Sequence, residues 1–93
     1  MKKKFITLYK GVGGDISLLD ILKNKKYGLS SFTKNLETAK DYAIEYALDL
    51  ETTGFVYKIK APISTFKYTH GPDEYIFIGD PKQIKIIKKI RVW

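Results

Sequence analysis

A chain of 93 residues has room for one small domain around a single core. With no cysteine and one histidine, it excludes a disulfide framework and a catalytic thiol, and argues against a zinc centre built from protein ligands. Seventeen Lys plus Arg against ten Asp plus Glu leave a net charge of +7, which favours a polyanionic partner: nucleic acid, a nucleotide pyrophosphate or an acidic protein surface.

The opening "MKKKFITLYKG" is basic, but Thr7 and Lys10 interrupt its short apolar run, and it lacks the apolar core of a secretory signal. No stretch reaches the length of a membrane span, so the expectation is a soluble cytoplasmic protein. "KFITLY", residues 4–9, alternates as a strand does and is expected to stop at "KGVGGD". There Gly11, Gly13 and Gly14 are expected to let backbone N–H groups approach a ligand. "DISLLDILKN", residues 15–24, reads as a short helix with Leu18, Leu19 and Leu22 on one face and Asp15 or Ser17 as cap.

"KKYGLSSF" reads as a second strand, with the hydroxyls Ser30, Ser31 and Thr33 at its end. Asn35 stands directly before the first apolar helical residue, Leu36, with Glu37 and Asp41 in the first turns, where a carboxylate suits the helix dipole. The cap is thereby supplied, and Ser31 and Thr33 are left for another role. Residues 36–50 form the clearest helix, with Leu36, Ala39, Ala43, Tyr46, Ala47 and Leu50 at helical spacing.

Three further apolar runs, "FVYKIKA", "EYIFIG" and "IKIIKKIRVW", read as strands separated by turns at Pro62, Gly71-Pro72 and Asp80-Pro81. His70 reads as a loop residue. The order, with only two helices and no late crossovers, predicts an α+β domain of five or six mostly antiparallel strands.

Tyr9-Lys10-Gly11, Ser31 with Thr33, Tyr42 with Tyr46, and Glu74 stand out for chemistry, in that chain order. Three stretches, "LYKG", "LSSFTKNLETAKDYA" and "GPDEYIFIG", resemble the arginine-serine-glutamate branch of the ADP-ribosyltransferase superfamily. In that branch a first strand ends in an aromatic, Arg and Gly, a second ends in Ser-x-Ser or Ser-x-Thr before an Ala-containing helix, and a late strand begins with Glu. Lys10 stands where the family has arginine, supplying charge without the bidentate fork. Pro72 stands two residues before Glu74, where many arginine-modifying members carry a second acid.

The resemblance implies a small, mostly antiparallel sheet split around a nucleotide cleft with two helices. It also implies a glycosyltransferase chemistry in which ADP-ribose passes from NAD to a protein or nucleic-acid acceptor and nicotinamide is released. Glu74 and Ser31 would be catalytic, and Tyr9, Lys10, Gly11, Ser31, Thr33 and Tyr42 would bind NAD. It requires these residues to face one cleft, and Lys10 and Glu74 on opposite faces of the sheet would remove its physical basis. The alternative is a basic binding module without chemistry, or a degenerate transferase fold. Its best feature is the last strand, where two-residue alternation would put Lys85, Lys89, Arg91 and Trp93 on one face, as a phosphate-tracking stripe or as lysines protecting an edge.

Overall fold

The computed structural model describes residues 4–23, 31–69 and 74–93. Six strands are described: β1 (Phe5–Gly13), β2 (Ser31–Thr33), β3 (Gly54–Pro62), β4 (Phe66–Tyr68), β5 (Glu74–Phe77) and β6 (Lys85–Arg91). They form one sheet in the order β4-β5-β2-β1-β3-β6, every neighbour antiparallel. Helix α1 (Leu18–Lys23) follows β1, and helix α2 (Leu36–Asp49) joins β2 to β3. Short 3-10 turns at Ile63–Thr65 and Pro81–Gln83 lead into β4 and β6.

The expected α+β class and its antiparallel late strands are therefore observed. The residues expected to begin the second strand, including Ser30, and the turn holding His70 and Pro72 lie outside the described residues.

The two faces of the sheet are covered differently. Leu8 and Val12 of β1, Tyr57, Ile59 and Ala61 of β3, and Phe32, Phe66 and Tyr75 build one buried cluster, closed by Leu18 and Ile21 of α1. On the other face α2 sets Ala39 and Ala43 against Val56, with Tyr9, Leu36, Ile90 and Val92 around them. Within α1, Leu18 is buried and Leu22 packs against the same cluster, as expected, whereas Leu19 is exposed and Ile21 takes its place in the core. Of the two caps expected for α1, Asp15 pairs through its carboxylate with Lys89, and the helix begins directly after Ser17, the other.

The glycines answer to helix packing. Strand β1 does not stop at Tyr9 but runs on through Gly13. A Cβ at Gly11 would lie 2.2 Å from the carbonyl oxygen of Ala39, and one at Gly54 would lie 2.8 Å from that of Ala43. Ala39, Ala43 and Ala47 are the buried residues of α2, so small side chains on both surfaces let helix and sheet backbones approach closely. Gly11 and Gly13, expected to let backbone N–H groups approach a ligand, are the positions where α2 comes closest to β1. Of Gly11, Gly13 and Gly14, Gly14 alone, with φ of +87°, adopts a turn conformation that favours glycine.

Candidate functional site

Asn35 caps α2 as its position in the sequence implies, its side-chain oxygen accepting from the N–H groups of Glu37 at 2.9 Å and Thr38 at 3.2 Å. Thr33 Oγ1 accepts from the Asn35 N–H at 3.1 Å, which fixes the turn from β2 into the helix. The two hydroxyls of β2 thereby divide: Thr33 shapes the junction, while the Ser31 hydroxyl makes no hydrogen bond among the described residues.

Register sets the faces of the site. Tyr9 lies opposite Thr33, and Thr33 lies opposite Glu74, so one row crosses three strands with all three side chains on the α2 face. The residue opposite Glu74 is thus Thr33, and Ser31 stands opposite Ile76. Glu74 is half-buried, and the Thr69 hydroxyl donates to its Oε2 at 3.3 Å.

Lys10 is next to Tyr9 in β1 and opposite Tyr57, so its side chain leaves the strand on the other face, that of the large core. The shared sheet face expected for Lys10 and Glu74 is not observed. They nevertheless line one cavity, because among the described residues β1 and β2 share a single register pair, Tyr9 with Thr33, and the strands part beyond it. Lys10 occupies the parting. Its Nζ donates to the Ser31 carbonyl at 3.1 Å and lies 5.3 Å from the centre of the Phe32 ring. Burial lowers its pKa from 10.5 to about 8, because the ammonium loses water around it.

The cavity, of about 200 Å³, is lined by Tyr9, Lys10, Gly11, Ser31, Thr33, Tyr42 and Glu74, every residue expected at the site, together with Phe32, Thr38, Ala39 and Tyr46. A second hollow of about 260 Å³ adjoins it, sharing Lys10, Gly11, Ser31 and Tyr46 and walled by Val12, Ile16, Ile21 and Leu50. The first is rich in hydroxyl and charged groups, the second is mainly aliphatic, and Lys10 stands where they meet. Tyr42 and Tyr46 stack at 6.2 Å with rings inclined by 17°, and are 50% and 46% exposed, so they form a wall of the cavity and not part of the core. Desolvation, then the neighbouring Tyr42 and Glu45, raise the pKa of Tyr46 and keep its phenol protonated. Thr38 was not named from the sequence, although 38, 42 and 46 form one stripe at four-residue spacing that signals it.

The last strand does not carry the stripe expected of it. The β3–β6 register shifts between Lys58 and Ile59, so Lys85 lies opposite Lys60 while Lys89 and Arg91 lie opposite Tyr57 and Phe55. A bulge of this kind breaks two-residue alternation, which puts Lys85 on the face away from Lys89 and Arg91. Lys89 is moreover engaged, by Asp15 and by the rings of Phe55 at 4.4 Å and Tyr57 at 5.6 Å.

Comparison of the chain with protein-family models, with curated proteins and with solved structures returns no match. Among the described residues no helix is long and apolar enough to cross a membrane.

Proposed function

We propose that the protein is an NAD-dependent ADP-ribosyltransferase with a divergent, minimal fold of the arginine-serine-glutamate type. One observation carries the reading: residues named from three separate sequence stretches, and drawn from β1, β2, α2 and β5, line a single cavity. Lys10 and Glu74 leave the sheet on opposite faces, so the shared face gives this reading no support and it rests on the cavity that both residues line.

The donor set fits NAD as substrate. Glu74, Thr33, Tyr9 and Tyr42 would surround the nicotinamide riboside, Lys10 would meet the pyrophosphate, and the aliphatic hollow beyond Lys10 would take the adenosine end. The Glu74 carboxylate would accept a hydrogen bond from a ribose hydroxyl and oppose the positive charge that develops at the anomeric carbon. The glycosidic C–N bond breaks with its electron pair leaving on nicotinamide, and a nucleophile of the acceptor bonds to the anomeric carbon as its proton departs. Ser31, whose hydroxyl makes no hydrogen bond among the described residues, would hold the ribose or a phosphate oxygen.

The test is titration with NAD while free nicotinamide is followed. Saturable NAD binding with nicotinamide release is expected, and the absence of any NAD binding would remove this reading in favour of a binding module without chemistry.

A further inference from the structure

Among the described residues, the sheet continues without cover beyond the first turn of α2. The helix lies over Gly11, Gly13 and Gly54, so Phe5 and Thr7 of β1 and the outer halves of β3 and β6 extend past its N-terminus on the same face. Because of the bulge, this bare face collects four lysines, Lys60 opposite Lys85 and Lys58 opposite Lys88. None of the four forms an ion pair among the described residues, and β1, β3 and β6 contain no acidic residue. Like charges placed directly opposite one another repel, a cost that an anion lying between the rows would offset.

We infer that this face is a docking surface for single-stranded nucleic acid, with Lys58, Lys60, Lys85 and Lys88 gripping the phosphates. Aromatic rings interleaved with the cations favour that partner over an acidic protein. Phe5 is 54% exposed on this face with the Lys60 ammonium 5.6 Å from its ring centre, and offers a surface on which a base can stack. Tyr9 lies opposite Lys58 and also lines the cavity, so the lysine face leads directly to the candidate site. As an acceptor path the inference rests on the transferase reading, whereas as a binding surface it stands without it.

The experiment is fluorescence anisotropy with a short labelled single strand of mixed sequence, and with its duplex, over a range of salt and without NAD. Replacing Lys58, Lys60, Lys85 and Lys88 together by alanine should weaken single-strand binding at least about 100-fold and lower the log–log salt slope by about 3. A control replacing the exposed Lys4, Lys23, Lys67 and Lys82 removes the same charge and should lose far less. Phe5→Ala should weaken the single strand about tenfold and leave the duplex unaffected. Equal losses in the two four-lysine variants, indifference to Phe5→Ala, or binding only to an acidic polypeptide would each overturn the inference. Because NAD is omitted, a protein that binds the strand but releases no nicotinamide keeps this surface and loses only the transferase.

Discussion

The Lys10 ammonium donates to the Ser31 backbone carbonyl across the gap where β1 and β2 part, at 3.1 Å. A side chain thereby replaces a ladder hydrogen bond between two backbones. The two strands stay tied while leaving room for a cavity on one side and an aliphatic hollow on the other, and the bridging cation belongs to both.

Lys10 gives two pH dependences of opposite sign. Its folded pKa of about 8 lies below the ordinary 10.5, so between those values the unfolded chain holds the proton more often than the folded one. The Lys10 contribution to stability therefore rises with pH across that window, whereas anion binding through Lys10 falls once pH exceeds about 8. Lys10→Met should flatten both profiles, measured by urea unfolding and by NAD titration at matched pH.

Phosphate charge is present before the reaction begins, so Lys10→Ala should raise the dissociation constant for NAD about tenfold and remove much of its salt dependence. Lys10→Arg should retain binding, because the planar fork can bridge to Ser31 and to a phosphate together. Calorimetric titration at two salt concentrations measures both effects.

Glu74 would meet charge that appears only as the glycosidic bond breaks. Glu74→Gln should lower nicotinamide release at least about 100-fold with NAD affinity changed less than about twofold. Equal turnover in wild type and variant would take Glu74 out of the mechanism.

Packing of α2 is the most fragile feature of the fold. Gly11→Ala drives a methyl to within 2.2 Å of the Ala39 carbonyl oxygen, a contact with backbone that no rotamer relieves. It should cost about 3 kcal/mol by denaturant titration, and widen the cavity as the helix moves away. Asn35→Ala removes one acceptor serving two N–H groups and should cost only about 1 kcal/mol.

Features that depend on near neighbours in the chain were determined by the sequence itself. The Asn35 cap, the alanine stripe of α2 and the start of β5 at Glu74 each rest on residues within a turn or two, where spacing and turn chemistry suffice. The extent of β1 was not legible, because Gly11 and Gly13 read as a turn until α2 is seen packed on them. Only the tertiary structure decided the parting of β1 from β2, which places Lys10 between two hollows although it leaves the sheet on the face opposite Glu74. Only it decided the bulge beside Lys58, which separates Lys85 from Lys89 and gathers four lysines on one face. Both depend on pairing between strands far apart in the chain, and a one-residue change of register there sends every later side chain to the other face.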